Sequence, residues 1–355
     1  MKAIVKFFYF LFIIILLIPF VGLITKTDFG ENCENRVKNE SFDVVFNLSI
    51  IEEFETYFID NLGFKSLLTN LNASFKYHFF RSSSHPHWAV IGQNNWAFYT
   101  DNDDTILKSY ARVNLLTTGE LEGKAKYLAE RQSKLNKMGI QYQMVVFPNK
   151  STIYFDELPF NMRLVQKDTL SKIDQMMRYL RQNEIKINLL DVREALFRQK
   201  DSVINYLKFD SHWNDLGCFA AYQELAKAMG LTPLPESEFE QSELLLKGGD
   251  LGRLTGLCIS DIKNETTPMI FYKGDVQYGK QETEEPRAHY WVNQDSTLTK
   301  RAILFGDSYS NCMVKFLALH FKELYYLRYR FEMEPVERIK PDVVIASEVE
   351  RYFLL

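Results

Sequence analysis

At 355 residues, 46% hydrophobic and 14% aromatic, the chain has enough apolar material for one large α/β domain with additions, which excludes global disorder. Its 42 basic and 46 acidic side chains are mixed along the sequence, so the formal net charge of −4 comes with no basic stripe and a nucleic-acid partner is set aside. The aromatic content suits a thick core, with stacking on sugars as its other use.

Lys2 and Lys6 precede an uncharged run, Phe7 to Ile24, that is long and apolar enough to span a bilayer despite Pro19. The positive flank puts its start in the cytoplasm and everything after Thr25 outside. No small-x-small cleavage site follows, which favours a retained single-pass anchor (residues 1–26) in the cytoplasmic, or inner, membrane over a cleaved export signal. Residues 27–49 are polar and aperiodic and read as a tether. The domain is expected over residues 50–355.

Apolar positions Ile51, Phe54, Phe58, Leu62, Leu67, Leu68, Leu71 and Phe75 recur at helical spacing around Gly63, predicting two amphipathic helices. Trp88 to Tyr99 reads as a β-hairpin turning at Gly92 to Asn95. Thr117 with Glu120 forms a capping box for a helix through Leu121, Leu128 and Leu135 that stops at Gly139. Tyr142 to Phe147 is a buried strand ended by Pro148. A helix over Leu170 to Gln182 leads to a strand over Ile185 to Leu190 and then Asp191. Strands follow at Ala302 to Phe305 and Val343 to Ala346. This alternation predicts a mainly parallel sheet with helices on both faces.

Two segments carry chemistry. In Arg301-Ala-Ile-Leu-Phe-Gly-Asp-Ser-Tyr-Ser310 an apolar strand runs into Gly306, Asp307 and Ser308 and then a helical pattern, Met313 to Phe321. That places Ser308 on a tight turn at the carboxyl end of the sheet, with backbone N–H groups at a helix start available to an oxyanion. In Phe209-Asp-Ser-His-Trp-Asn214, ahead of a helix from Leu216 to Met229, Asp210 and His212 share one side of an extended segment, so Asp210 can orient the imidazole. Serine, histidine and aspartate are the nucleophile, base and orienting carboxylate of acyl transfer. Alone, each segment reads as a turn and as a structural histidine.

The four cysteines are too few and scattered for a disulfide scaffold and hold no C-x-x-C pair. Cys312, four residues after Ser308, reads as a buried thiol rather than a nucleophile. His78, His85 and His87 suggest metal ligation, but no acidic or cysteine ligand is placed to complete a site, and the segment reads as a solvated loop. No cofactor is called for.

At these residues the sequence resembles the SGNH-like domain of the alginate O-acetyltransferases and related exopolysaccharide acetylation proteins. The resemblance runs through Tyr57 to Phe64, Ile91 to Tyr99, Val146 to Tyr154, Asp210-Ser-His-Trp213, Gly249-Asp-Leu251, Gly306-Asp-Ser308, Pro341 to Val344 and Glu350-Arg351. It implies an SGNH-like α/β fold with permuted motif order, the acid-base pair ahead of the serine. It also implies Ser308 as nucleophile with His212 and Asp210 as the pair. Lys150 matches the family pattern without a derivable role. Trp213, Tyr309 and Arg328 are placed to touch sugar or to pack. No carbohydrate-binding module is expected after the last motif.

The expected function is transfer of acetyl groups to hydroxyls of an exported polysaccharide. Outside the cytoplasm there is no ready acetyl-CoA, so the resemblance implies a polytopic membrane-bound O-acyltransferase partner that supplies acetyl groups. The alternatives are an extracytoplasmic carbohydrate esterase or deacetylase, and a catalytically idle polysaccharide-binding subunit of an export complex.

Overall fold

The computed structural model describes the chain apart from residues 1, 29–30, 32, 34–38, 40, 42–48, 102–104, 167–169, 263–264, 275–277, 282–287 and 354–355. The predicted tether falls largely outside the described residues. The apolar run forms one helix, Lys2–Thr25, of which Ile4–Thr25 is long and apolar enough to cross a membrane; an export signal fits the same description. The two amphipathic helices are Ile50–Asn61 and Lys65–Phe80, broken at Gly63 as the spacing predicts.

The hairpin pairs β1 (Ala89–Ile91) with β2 (Ala97–Tyr99). The capping box at Thr117 and Glu120 is formed and starts helix Thr118–Lys137, which ends before Gly139 at φ +75°. After it come β3 (Gln141–Phe147) and helix Lys172–Gln182, the latter capped by Ser171 and Asp174. Next are β4 (Leu189–Asp191), helix Asp215–Ala228, β5 (Phe239–Leu246) and β6 (Glu265–Tyr272). The chain closes through β7 (Tyr278–Gln281), β8 (Ala288–Asn293), β9 (Arg301–Phe305), β10 (Glu323–Leu327), helix Met333–Ile339 and β11 (Val343–Val349).

The main sheet has strand order β4-β3-β11-β9-β10-β8-β7, parallel from β4 to β10 and antiparallel at the β8 and β7 edge. Its central strands are apolar on both sides because both sides are covered. Alternate residues face opposite cores. Val145, Phe147, Ala302, Leu304, Val343 and Ile345 pack with helix Asp215–Ala228, while Tyr142, Met144, Val146, Ile303, Phe305 and Val344 pack under helices Thr118–Lys137 and Lys172–Gln182. A smaller core joins Ala73 and Tyr77 of helix Lys65–Phe80 to the hairpin and to Phe209, Leu251 and Ile262.

Three local expectations are corrected. The strand predicted over Ile185 to Leu190 is shorter and lies at Leu189–Asp191, because only Met144 to Val146 of β3 pair with it. The helix predicted over Met313 to Phe321 is a 3₁₀ turn, Ser308–Cys312, followed by the short helix Val314–Leu317. The cysteines form two disulfides, Cys33–Cys258 and Cys218–Cys312. An even number of cysteines in a chain expected to be exported carried that signal.

Candidate active site

Ser308 sits where β9 ends, at the carboxyl edge of the sheet where open α/β folds place ligands. Gly306 is required by space, since a Cβ there would meet Ser347 Oγ at 2.2 Å and Ser310 Oγ at 2.3 Å. The turn is fixed by Asp307. Its Oδ1 accepts from the Tyr309 N–H (2.9 Å), and its carbonyl oxygen accepts from the Ser310 N–H (3.0 Å) and the Tyr326 hydroxyl (2.5 Å). Those two turn amides are therefore engaged internally and are not free for an oxyanion.

The structure brings the three sequence-predicted residues into one hydrogen-bonded line. His212 Nε2 lies 2.7 Å from Ser308 Oγ, and His212 Nδ1 lies 2.7 Å from Asp210 Oδ1. The same Oδ1 accepts the His212 backbone N–H at 2.9 Å, and Oδ2 accepts the Asp250 N–H at 3.3 Å. The imidazole is 31% exposed, enough for a reacting group to reach its outer nitrogen. Burial alone would raise the Asp210 pKa, but its hydrogen bonds and the His212 charge outweigh that and hold it down at about 2. For His212 burial works downward, and the hydrogen bond and charge of Asp210, with Asp250 behind, reverse it and raise the pKa. A carboxylate that stays ionised beside a strengthened base is the electrostatic pattern acyl transfer uses.

Asp250, which the motif reading left without a role, holds the intervening residue. Its carboxylate accepts the Ser211 N–H (2.6 Å) and Ser211 hydroxyl (2.5 Å), and lies 3.6 Å from His212 Nδ1. Gly249 before it has no room for a side chain: a Cβ would meet the Phe209 carbonyl oxygen at 2.2 Å and Asp210 Cβ at 2.7 Å. Backbone cannot swing aside as a side chain can. Gly249→Ala is expected to displace Asp210 and cut kcat about a hundredfold, the usual cost of a 1 Å misplacement. Steady-state kinetics on a folded variant check this.

Lys150 acquires a role that sequence reasoning did not find. Its buried ammonium donates to the carbonyl oxygens of Leu207 (2.8 Å), Lys208 (2.9 Å) and Asp210 (2.8 Å), clamping the segment that delivers the acid. Burial pushes its pKa down to about 7 against the pull of Asp210, Asp250 and Glu265. A neutral amine has only two N–H donors, so all three bonds exist only for the ammonium. Lys150→Met orphans these acceptors and is expected to lower the unfolding free energy by about 3 kcal/mol, read from the urea midpoint at unchanged m-value.

The serine turn and the histidine segment are tied to each other. The Tyr309 hydroxyl donates to the Ser211 carbonyl oxygen, and Trp213 Nε1–H donates to the Tyr309 carbonyl oxygen at 3.0 Å. Cys218, in the helix after His212, is disulfide-bonded to Cys312 at the end of the serine turn. Trp213 and Tyr309 are 4% and 1% exposed, so both pack, while Arg328 is exposed. Glu350, half-buried, accepts the Asn149 N–H at 3.0 Å, and Arg351 donates to Asn149 Oδ1 at 3.2 Å. Among the described residues His78, His85 and His87 form no ligand cluster; the group with metal-ligand proximity is Asp210, His212 and Asp250, already occupied in the hydrogen-bonded line.

Residues 89–324 match the family model of the SGNH hydrolase-like domain, acetyltransferase AlgX. A curated relative, the probable alginate O-acetylase AlgJ of Pseudomonas aeruginosa, is 25% identical over 190 residues, 54% of this chain and 45% of that protein, so the chain matches less than half of the relative's length. Among solved structures, a DHHW family protein from Eubacterium siraeum aligns with TM-score 0.53 at 14% identity, over 74% of this chain and 90% of that one. AlgX of Pseudomonas aeruginosa aligns with TM-score 0.51 at 18% identity, over 75% and 62%. These likenesses show the shared fold.

Proposed function

This chain belongs to the family of the SGNH hydrolase-like acetyltransferase domain of AlgX, and from that membership we propose that it is a serine O-acetyltransferase acting on hydroxyls of an exported polysaccharide. The observation that carries the reading is the unbroken line Ser308, His212, Asp210, with both contacts at 2.7 Å. An idle subunit would have no need to keep it.

In the first half-reaction Ser308 Oγ attacks the acetyl carbonyl while His212 Nε2 takes the hydroxyl proton, and the tetrahedral intermediate collapses as His212 returns that proton to the departing donor oxygen. Asp210 keeps the proton of Nδ1 in place and stabilises the imidazolium. With the Tyr309 and Ser310 amides engaged, the backbone N–H of Ser308 is the turn's candidate oxyanion donor. In the second half-reaction a sugar hydroxyl gives its proton to His212 and attacks the acetyl-serine, and His212 returns that proton to Ser308 Oγ as the acetyl group leaves it, regenerating both residues.

The helix Lys2–Thr25 supports retention at the cytoplasmic membrane, with the catalytic domain facing outward. Two disulfides fit an oxidising compartment. A site outside the cytoplasm needs acetyl groups passed across the membrane, and a polytopic membrane-bound O-acyltransferase is the partner that chemistry calls for.

Transfer and hydrolysis share the first half-reaction, so the acceptor decides between them. The test supplies an activated acetyl ester with and without oligosaccharides of the host's exported polymer, and follows acetylated sugar and free acetate separately. Acetylated sugar formed at the expense of acetate is the expected result. Acetate released at one rate regardless of acceptor, with no acetylated sugar, makes the chain an esterase.

A further inference from the structure

Helix Lys65–Phe80 is apolar on two opposite faces. One face buries Ser66, Ala73 and Tyr77, and the Tyr77 ring meets Phe209, the neighbour of Asp210, edge-on at 6.3 Å. The other, half a turn round at i, i+3, i+7 and i+11, exposes Leu68 (50%), Leu71 (57%), Phe75 (51%) and Phe79 (73%). Phe75 packs against Phe79 at 4.6 Å and Phe80 at 5.6 Å, which gives a surface cluster of three aromatic rings. Such contiguous apolar surface marks an interaction site.

Two observations say what covers it. The first is that the helix carrying the stripe starts against the apolar helix Lys2–Thr25. Gly63, just before this helix, lies so close to Gly22 that a Cβ on it would meet Gly22 Cα at 2.2 Å, and its N–H donates to the Pro19 carbonyl oxygen at 3.0 Å. Phe20 of that helix also contacts Phe58 at 5.9 Å. The second observation is charge. From Lys65 to Phe80 there is no acidic residue, while Lys76 and the following Arg81 are basic. A helix with an exposed apolar stripe, no acidic residue of its own and basic Lys76 and Arg81 toward its end, starting beside an apolar span, has a composition suited to the headgroup region.

We propose that helix Lys65–Phe80 lies in the outer interface of the membrane, with Leu68, Leu71, Phe75 and Phe79 in the acyl boundary and the opposite face holding the Asp210 segment at a fixed height. This rests on reading Lys2–Thr25 as a retained span. It would present the active site to an acetyl donor delivered at the membrane instead of letting the domain swing on a tether.

The described cysteines are all disulfide-bonded, so one added cysteine takes a nitroxide label selectively. The full chain carrying Leu71→Cys, Phe75→Cys or Phe79→Cys is reconstituted in vesicles of phosphatidylethanolamine with a minor share of phosphatidylglycerol. Relaxation by oxygen, which enters lipid, is compared with relaxation by a water-soluble nickel chelate. Ile14→Cys reports the span, and Tyr127→Cys, on the exposed side of another helix, reports water. The expected result is an oxygen-to-nickel ratio at all three stripe positions several-fold above that at Tyr127→Cys and approaching that at Ile14→Cys. Stripe positions open to nickel while Ile14→Cys stays in lipid overturn the interfacial helix and leave the span standing. Ile14→Cys open to nickel as well removes the span reading and this inference with it. Labels shielded from both reagents show protein covering the stripe, which also overturns the proposal.

Discussion

Ser308→Ala is expected to lower acetyl turnover by on the order of 10⁴- to 10⁶-fold with KM nearly unchanged, because the variant keeps the acceptor and donor surfaces but lacks the hydroxyl proposed to take the acetyl group. Ser308 Oγ is bonded to His212 Nε2 at 2.7 Å, and removing it leaves a base with nothing to activate. His212→Ala should cost a similar amount, and the double variant hardly more than either alone, since the members act as a unit. Independent losses that multiply would argue for separate sites. Circular dichroism and the unfolding midpoint show whether the fold survives; with the Cys218–Cys312 bond and the Tyr309 and Trp213 contacts intact, it should.

Asp210→Asn is expected to cost about 10⁴-fold in kcat, the effect of losing the orienting carboxylate. Its signature is in pH. With His212 as the proposed base, productive enzyme needs it neutral, and Asp210 raises the His212 pKa, so the acid limb of kcat/KM is expected above the ordinary imidazole value of about 6.5. In the variant that limb moves to lower pH as activity falls. Stability follows the same pair. Asp210, depressed to about 2, contributes stability that is present above the ordinary aspartate value and lost as pH falls through the depressed one. His212, raised, contributes stability that is present below about 6.5 and lost as pH rises through its folded value. Urea midpoints should therefore separate wild type from Asp210→Asn most between about pH 4 and 6.5. A pH-independent difference would mean that the pair contributes no linked charge.

Most of the proposed catalytic line was legible because both halves are local. Asp210 and His212 are two residues apart, and Ser308 stands at a strand end where chain direction alone exposes it. The central strands were legible for the same reason: β3, β9 and β11 are continuous apolar runs, as burial on both faces demands. What stayed hidden depends on distant chain. The Lys150 ammonium is satisfied by carbonyls some 60 residues away, which no periodicity records. The pairings of Cys33 with Cys258 and Cys218 with Cys312 cross 225 and 94 residues. Strands β5 to β8 have little alternation to read; β5 is exposed at six successive positions, Glu240 to Leu245, and is held mainly by its partner β6.

The proposed mechanism requires Ser308 to carry the acetyl group. Peptide mapping by mass spectrometry, after rapid acid quench of the full chain with an activated acetyl ester and no acceptor, tests this directly. Acetyl should appear on the peptide containing Ser308, be absent from Ser308→Ala, and be lost on adding acceptor oligosaccharide. Acetyl on another serine with Ser308 unmodified, or an adduct that persists in Ser308→Ala and still turns over, would contradict it.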